Sequence, residues 1–373
     1  MSTISKATME GTARYRERFR GQVGEGHFRQ EQNLWMSSIG LGSYLGNADS
    51  RTDEAYRLAV KRAAELGCNV FDSAANYRFQ RSERSFGQAF SELFAEGSFS
   101  RDELVVTTKG GFLPFDGAMP RSRQQMMAYL EETFVKPGIC RFEDFVQDSH
   151  CMAPGYLEHQ LDQSLRNLQL DGVDVYYLHN PETQLGEIPQ EEFYFRLGAA
   201  FEFLESAVAA GKIAMYGTAT WNGYRAAPTD KGFLSLERVV ETARKVGGEN
   251  HHFKVVQLPI NLAMIEAFTN GNQSVDGKKM TLLEAAAELG VTVMASGSIL
   301  QSRLSDGLPP IVSEAFPGLR TDAQRAIQFV RSTPVVTTAL VGMSDLDHVE
   351  ENLEVAKTSP VAMESYLKIF SRE

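Results

Sequence analysis

The chain contains the run Val173-Asp174-Val175-Tyr176-Tyr177-Leu178-His179, in which apolar and aromatic residues lead to an imidazole. Short apolar runs of this kind are typical of strands buried on both faces, as in a parallel sheet. Two other runs share this form and end in a carboxylate or an ammonium: Asn69-Val70-Phe71-Asp72 and Leu104-Val105-Val106-Thr107-Thr108-Lys109. Because the strand-end side chains of a parallel barrel meet on its C-terminal rim, these residues predict one functional site.

Strand-like runs with helical segments between them recur along the chain. Their C-terminal ends fall near Leu41, Asp72, Lys109, His179, Gly217, Leu258, Ala295 and Gly342. Most of these ends are separated by roughly 30–45 residues, about the length of one strand–helix–strand unit. Eight such ends predict an α/β fold of the (β/α)8 type, a TIM barrel built as a single domain.

Helical spacing of apolar residues predicts the connecting helices individually. One helix opens at Thr52 and is closed by Gly67, and others cover 121–134, 156–168, 191–210 and 282–289. A glycine directly after a periodic run is a common C-terminal cap, because it adopts the left-handed conformation without steric cost.

Three segments lie outside the regular repeat of the barrel, which is predicted over 35–358. Residues 1–34 are an N-terminal extension, and a hairpin over 27–35 is predicted to close the bottom of the barrel. Residues 359–373 are predicted to form a C-terminal helix. Residues 111–154 are an insertion after the third strand. The insertion emerges on the catalytic rim, so it is either a lid over the substrate or a peripheral subdomain that buries its own aromatic residues.

Composition and charge restrict the class of protein. A 43% hydrophobic and 23% charged composition is ordinary for a globular chain. A formal net charge of -11 argues against nucleic acid or an anionic membrane surface as a partner. No run approaches the roughly 18 apolar residues of a spanning helix, and the cysteines (Cys68, Cys140 and Cys151) are too scattered for a disulfide framework. We therefore expect a cytoplasmic protein, with its oligomeric state left open.

Asp72, Tyr77, Lys109 and His179 together form a proton-handling set. A phenol has a pKa of about 10, and a neighbouring ammonium lowers that pKa by stabilising the phenolate. Lys109 is the predicted ammonium, Asp72 the carboxylate that keeps it charged, and His179 a donor to a carbonyl oxygen. Tyr77 is then predicted to act as general acid in a reduction.

Each of these residues also has a structural interpretation when it is taken alone. A strand-end Asp can cap a helix, a Tyr or His can pack on the rim, and a Lys can be solvated. The joint pattern at neighbouring strand ends favours the catalytic interpretation. The spacing of His150, Cys151 and His159 does not match a metal-ligand pattern, so no metal is expected.

Several motifs resemble those of the aldo-keto reductase family. The family's second-strand signature is similar to Phe71-Asp72-Ser73-Ala74-Ala75-Asn76-Tyr77 followed by Ser82-Glu83-Arg84-Ser85-Phe86-Gly87. The run ending at Lys109 resembles its lysine strand, and the run containing His179 resembles its histidine strand. The resemblance implies a (β/α)8 barrel with catalytic roles for Asp72, Tyr77, Lys109 and His179. It also implies reversible reduction of a small aldehyde or ketone, with a nicotinamide cofactor bound without a Rossmann domain.

The resemblance further implies which residues bind the cofactor and the substrate. NADP(H) is the expected cofactor, and NAD(H) is the alternative. The implied cofactor contacts are Gly42, Ser43, Tyr44, Asp72, Thr220, Gln257, Ser296, Gly342, Ser344, His348, Glu351 and Asn352. The implied substrate contacts are Tyr77, His179 and Trp221.

The sequence departs from the family pattern at the nicotinamide end. Ala219-Thr220 stands where the family usually has a Ser-Asn pair for the carboxamide, and Ser296 stands where it often has a stacking Tyr. Trp221 either replaces that stacking area or packs on the rim. These changes keep a second function open, that of a nicotinamide-binding regulatory or redox-sensing subunit with little turnover, similar to the potassium-channel β subunits.

The sequence also departs from the family pattern at the dinucleotide end. Asp345 and Asp347 would repel a 2′-phosphate, whereas Ser344 and His348 could bind it. The backbone amides of residues 342–344, at the start of a predicted helix, are a candidate anion site.

Overall fold

The computed structural model describes residues 5–370. The strands in this part of the chain are β1 (Phe28–Glu31), β2 (Leu34–Ser37), β3 (Ile39–Gly42), β4 (Val70–Asp72), β5 (Val105–Gly110), β6 (Phe145–Val146), β7 (His150–Cys151), β8 (Val173–His179), β9 (Ile213–Ala219), β10 (Phe253–Pro259), β11 (Gln273–Val275), β12 (Lys278–Met280), β13 (Thr292–Ser296) and β14 (Val336–Gly342).

Eight parallel strands close into a barrel in the order β3-β4-β5-β8-β9-β10-β13-β14, and β14 pairs back onto β3. The prediction of a (β/α)8 barrel in a single domain is therefore confirmed. Each barrel strand ends within two residues of its predicted end. The agreement follows from burial on both faces, which leaves these strands as nearly continuous apolar runs.

Helices connect the barrel strands and cover the outside of the barrel. They are α1 (Met9–Arg18), α2 (Ser50–Glu65), α3 (Arg81–Ala95), α4 (Arg123–Leu130), α5 (Pro154–Leu168), α6 (Glu182–Leu185), α7 (Gln190–Ala209), α8 (Leu236–Gly247), α9 (Glu266–Thr269), α10 (Leu282–Glu288), α11 (Pro310–Ala315), α12 (Asp322–Ser332), α13 (Leu346–Leu353) and α14 (Met363–Leu367). The predicted start of α2 at Thr52 is wrong by two residues. Asp49 is the N-cap, and its carboxylate accepts from the Thr52 N–H at 2.8 Å.

The interior of the barrel is closed at the bottom by the β1–β2 hairpin. Leu34 and Met36 of this hairpin lie in one buried cluster with inward-facing barrel residues such as Val70, Val105 and Val175. The hairpin spans 28–37 rather than the predicted 27–35. A second and larger cluster fills the space between the strands and the outer helices. With the bottom filled, only the C-terminal rim of the barrel is open to a ligand.

The insertion at 111–154 has an apolar cluster of its own, joined by a residue of α5. Its buried members are Leu113, Phe115, Leu130, Phe134, Cys140, Cys151 and Tyr156. The helix predicted over 121–134 is α4, which continues as one π-helical turn over Glu131–Val135. Cys140 and Cys151 thus lie in this cluster as free, buried thiols, far in sequence from the barrel strands.

The C-terminal segment is shorter than the predicted helix over 359–373. It contains α14 and a 3-10 turn over Lys368–Phe370, and residues 371–373 lie outside the described range, as do residues 1–4 of the N-terminal extension. No helix within residues 5–370 is both long and apolar enough to cross a membrane.

Candidate active site

The polar strand-end residues meet around one cavity on the C-terminal rim of the barrel. Asp72 ends β4, Lys109 lies near the end of β5 and His179 ends β8, and these three strands are neighbours in the barrel. Asp72, Tyr77 and His179 line a cavity of about 420 Å³. Lys109 lies just beneath the cavity lining, with its side chain 1% exposed. The four residues of the predicted proton-handling set are therefore brought together.

Lys109 and Asp72 form a buried ion pair. The Lys109 ammonium donates to the Asp72 carboxylate at 2.5 Å and to the Ser73 carbonyl oxygen at 2.8 Å. The other carboxylate oxygen of Asp72 accepts from the Thr107 hydroxyl at 2.7 Å and from the Gln257 amide at 2.9 Å. These four contacts hold both charges in fixed positions, with the Lys109 side chain 1% exposed and the Asp72 side chain 7% exposed.

Tyr77 lies in the turn that follows β4. The Lys109 Nζ lies 4.9 Å from the centroid of the Tyr77 ring, and the rings of Tyr44 and His179 approach it edge-on at 5.1 Å and 5.7 Å. The next three residues, 78–80, all have positive φ between 49° and 68°, which is unusual for residues with a side chain. This left-handed turn directs the chain into α3 directly after the phenol.

Lys109 acts to lower the pKa of Tyr77 as expected, but the expected net lowering is corrected by the structure. Burial raises the pKa of the Tyr77 phenol above its ordinary value, and the attraction of the Lys109 ammonium only partly opposes that shift. Burial also acts to lower the pKa of Lys109, but the carboxylate of Asp72 outweighs it and the pKa of Lys109 is raised. At neutral pH the site therefore holds a protonated phenol beside a permanent ammonium.

His179 is a neutral imidazole at the cavity wall. Burial lowers its pKa well below the ordinary value, and the nearby Lys109 charge lowers it further. Its Nδ1 atom is buried and has no hydrogen-bond partner within residues 5–370. A neutral imidazole carries one N–H donor and can polarise a carbonyl without adding a second positive charge.

In the sequence Glu83 is only one residue of a motif, but in the structure its side chain supports strand β5. Its carboxylate accepts from the Thr108 hydroxyl at 2.6 Å and from the Asn167 amide at 2.9 Å. Because side chains alternate along β5, Thr108 faces the outer helices while Thr107 and Lys109 face the barrel interior. The Glu83 contacts thus fix the strand from outside, one residue before the Lys109 ammonium.

The structure places eight of the twelve implied cofactor residues at the cavity. These are Gly42, Ser43, Tyr44, Asp72, Thr220, Gln257, Ser296 and Gly342. Three of them have side chains already engaged within the protein: Ser43 donates to the Ser73 hydroxyl at 2.9 Å, Gln257 donates to Asp72, and Asp72 also pairs with Lys109. The oxygen atoms of the Ser43 and Gln257 side chains can still accept a hydrogen bond from a ligand. No sequence signal distinguished Gln257 as a partner of the ion pair.

Thr220 has the opposite character, because its side chain is unengaged. The Thr220 backbone N–H donates to the Gln257 carbonyl at 2.8 Å, which fixes the residue at the end of β9. Its hydroxyl is buried at the cavity, and no residue in the described range 5–370 satisfies it. A buried hydroxyl without a partner costs about 1–3 kcal/mol, so a ligand that bonds to it gains affinity.

The remaining four implied cofactor residues do not line the cavity. Ser344, His348, Glu351 and Asn352 follow β14, and the last three lie on α13. The expectation that residues 342–344 open this helix is wrong: α13 begins at Leu346, and the N-cap carboxylate of Asp345 accepts from the Asp347 N–H at 2.9 Å. An acidic side chain thus already occupies the helix N-terminus, where an anion would bind.

Trp221 and Phe112 complete the wall of the cavity. Trp221 is 40% exposed, and its backbone N–H donates to the Glu182 carboxylate at 2.7 Å. Phe112 comes from the insertion and contacts the His179 ring edge-on at 5.1 Å. Trp221 was predicted from the sequence, whereas Phe112 was not, because no motif around it distinguishes it.

Comparison with known proteins shows the family to which the chain belongs. A family model described as the aldo/keto reductase family matches residues 38–231. The aldo-keto reductase yakc (NADP+) of Schizosaccharomyces pombe is 28% identical over 186 residues, which cover 49% of this chain and 41% of that relative. A probable voltage-gated potassium channel subunit beta of Oryza sativa subsp. japonica is 22% identical over 349 residues, covering 88% of this chain and 90% of the relative.

A solved structure supports the fold over nearly the whole chain. The crystal structure of an aldo/keto reductase from Klebsiella pneumoniae, in complex with NADP and acetate, superposes with a TM-score of 0.62 at 21% identity. The match covers 93% of this chain and 94% of the Klebsiella protein. At this level of identity the likeness shows a shared barrel and carries no residue roles.

Proposed function

Since the chain belongs to the aldo/keto reductase family, whose members are NAD(P)H-dependent enzymes, we propose that it reduces a small aldehyde or ketone to an alcohol with NADP(H). The observation that carries the proposal is the buried Lys109–Asp72 ion pair beside the Tyr77 phenol, at the wall of the rim cavity. This arrangement delivers a proton at neutral pH from a group that is a poor acid in water.

The residues of the cavity fit a nicotinamide cofactor. The unsatisfied hydroxyl of Thr220 can bond to its carboxamide, and Ser296 lies on the same wall of the cavity. The glycines at the ends of β3 and β14, Gly42 and Gly342, leave backbone exposed beside the cavity where a larger side chain would cover it. When bound, a reduced nicotinamide supplies the hydride to the carbonyl carbon.

The proton chemistry belongs to the side chains of the chain. In our proposal the neutral imidazole of His179 donates to the carbonyl oxygen, which orients the substrate and withdraws electron density. The Tyr77 O–H then gives its proton to that oxygen as negative charge develops on it. The Lys109 ammonium stabilises the phenolate that remains, and Asp72 keeps Lys109 charged throughout. In the reverse direction the phenolate accepts the proton of the alcohol.

A screen with several carbonyl compounds tests the proposed function. Purified protein is mixed with NADPH or NADH and a panel of small aldehydes and ketones, and cofactor oxidation is followed by absorbance. We expect turnover with several carbonyls and a preference for NADPH. Absence of turnover with every compound, under conditions in which NADPH binds, would contradict the proposal.

A second function is favoured by particular observations. One relative is a potassium channel β subunit that aligns over 88% of this chain, and Ala219 cannot make a side-chain hydrogen bond to a carboxamide. A nicotinamide-binding regulatory or redox-sensing subunit would bind NADPH tightly and release it slowly, with negligible turnover in the same screen. The two functions are thus separated by one experiment.

Replacing Thr220 with Val should weaken the binding of NADPH while leaving the free protein at least as stable. The substitution removes a hydroxyl that is unsatisfied in the free protein and that we assign to the cofactor. One neutral hydrogen bond contributes about 0.5–1.5 kcal/mol, so the Kd should rise about 3- to 10-fold. Titration of NADPH against tryptophan fluorescence measures the change.

Thr220→Ser is the matched control for this prediction. It retains the hydroxyl and loses only a methyl group, so its Kd should stay within about twofold of the parent value. An unchanged Kd in Thr220→Val would show that this hydroxyl has no part in cofactor binding.

A further inference from the structure

The insertion at 111–154 is hydrogen-bonded to the backbone of the candidate active site through His150. His150 is 1% exposed, and its Nε2 atom lies 2.7 Å from the backbone carbonyl oxygen of His179. That oxygen belongs to the last residue of β8, where the sheet ends and Asn180 turns the chain with a φ of 47°. The insertion therefore satisfies the carbonyl of His179 at the point where the barrel strand stops.

The ring of His150 is held in one tautomer. Its Nδ1 accepts from the Gln184 side-chain amide at 3.3 Å, so the proton resides on Nε2, which donates to the His179 carbonyl. Burial lowers the pKa of His150 to about 4, so the ring is neutral at physiological pH. Gln184 is oriented in turn by Arg196, which donates to its amide oxygen at 3.3 Å.

Phe112 provides a second contact between the insertion and His179. Its ring meets the His150 ring edge-on at 5.0 Å and the His179 ring edge-on at 5.1 Å. Gly111 allows this close approach, because a Cβ at that position would lie 2.8 Å from the His150 Nε2 and 3.1 Å from the His179 carbonyl oxygen. Its φ of +140° is also one that side chains rarely adopt.

These contacts matter because little else fixes the orientation of the His179 ring. Within residues 5–370 its Nδ1 has no partner, so no hydrogen bond at that atom holds the ring. The ring is held instead by its own backbone and by the faces and edges of Tyr77 and Phe112. The insertion acts on both the backbone and one of the two aromatic contacts.

We propose that His150 is a positioning residue, and that the insertion is a buttress that sets the imidazole of His179 against the Tyr77 phenol. This inference rests on the proposed carbonyl reduction, in which His179 orients the carbonyl oxygen. It also assigns a role to the aromatic cluster of 111–154: the cluster keeps His150 and Phe112 rigid. A misplacement of about 1 Å in a catalytic group can cost about 100-fold in rate, so such a buttress has a measurable effect.

The test compares two substitutions of His150. His150→Phe keeps an aromatic ring but removes the donor, whereas His150→Gln keeps an amide donor. We expect kcat to fall about 10- to 100-fold in His150→Phe, with KM for the carbonyl and Kd for NADPH within twofold. His150→Gln should recover most of the loss. Because His159 contacts the same aromatic cluster through Phe134 and does not touch His179, His159→Phe is the matched control and should retain full kcat.

A second readout does not depend on turnover. The imidazole nitrogen resonances of His179, assigned by their loss in His179→Gln, should shift or broaden in His150→Phe and stay unchanged in His159→Phe. If His150→Phe does not fold, Gln184→Leu replaces it: it frees the His150 tautomer from outside the insertion, and it should shift the same resonances and lower kcat about 3- to 10-fold.

The outcomes separate this inference from the proposed function. Unchanged kcat and unchanged His179 resonances in His150→Phe would overturn the positioning role while carbonyl reduction stands. Equal losses in His150→Phe and His159→Phe would also overturn it, since they would indicate general loosening of the insertion. A parent protein without turnover would refute the proposed function, and the His179 resonances would still decide the structural role of His150.

Discussion

Tyr77→Phe should reduce the kcat of carbonyl reduction by about 1,000-fold and leave NADPH affinity nearly unchanged. The substitution removes only the hydroxyl that delivers the proton, and general acid catalysis contributes roughly 100- to 10,000-fold. The Phe ring keeps the edge-on contacts with Tyr44 and His179, so the cavity retains its shape. Steady-state kinetics with the best carbonyl found in the screen, together with fluorescence titration of NADPH, measures both quantities.

Tyr129→Phe is the matched control, because it makes the same chemical change within the aromatic cluster of the insertion. It should leave kcat within about twofold of the parent.

The dependence of kcat on pH gives an independent check. Because the pKa of Tyr77 is raised, the phenol stays protonated through neutrality, and kcat for reduction should fall only above the ordinary phenol value of about 10. A fall in kcat near pH 7 that is absent in Tyr77→Phe would contradict the raised pKa of Tyr77, and a fall above pH 10 that persists in Tyr77→Phe would contradict its role as the acid.

The barrel was predictable because strands that are buried on both faces appear in the sequence as largely apolar runs. The runs ending at Asp72, Lys109 and His179 are largely apolar, and the residue that closes each run lies within one residue of the end of its strand. A parallel barrel then places successive strand ends side by side. The juxtaposition of Asp72, Lys109 and His179 follows from strand order alone, without knowledge of any side-chain conformation, whereas the position of Tyr77 also depends on the turn after β4.

The electrostatics of the site were not predictable in the same way. The pKa of Tyr77 depends on the balance between burial and the attraction of Lys109, and a sequence contains the second influence but not the first. The same limit applies to Gln257, whose amide joins the buried ion pair from the opposite side of the barrel. Its sequence neighbours indicate a strand, but the partner of its side chain is fixed only when the barrel closes.

From the sequence, the insertion could be identified only as an interruption of the strand–helix repeat. Whether it is a lid or a peripheral subdomain depends on long-range contacts, such as the hydrogen bond between His150 and the backbone of His179, 29 residues away. That contact depends on the positive φ and the missing side chain of Gly111, and a single residue of this kind produces no periodic pattern in the sequence. The predicted start of α13 was wrong for a related reason. The N-cap depends on which of the neighbouring acidic side chains accepts a hydrogen bond from a backbone N–H of the first turn.

The buried ion pair predicts unequal losses of stability from its two members. Asp72→Asn removes the counter-charge of the Lys109 ammonium, which is 1% exposed and keeps neutral acceptors such as the Ser73 carbonyl oxygen at 2.8 Å. Removing one partner of a buried pair costs about 3–5 kcal/mol, so the free energy of unfolding should fall by that amount at neutral pH. Lys109→Met should cost less, because the Asp72 carboxylate keeps the Thr107 and Gln257 donors. Urea unfolding followed by circular dichroism measures both losses.

The double variant Asp72→Asn/Lys109→Met distinguishes a true pair from two independent contributions. If the charges are coupled, the double variant should be less destabilised than the sum of the single variants by more than about 1 kcal/mol. Simple additivity would mean that each side chain is held by its other hydrogen bonds.

The dependence of stability on pH has a defined sign, because the pKa of Lys109 is raised in the folded state. The stabilisation that the ion pair contributes is fully present below the unfolded Lys pKa of about 10.4, and it is lost as the pH rises through the folded pKa. Both single variants should also lose carbonyl reduction. Without the ammonium the Tyr77 phenolate has no counter-charge, and without the carboxylate Lys109 loses the main influence that opposes the lowering of its pKa by burial.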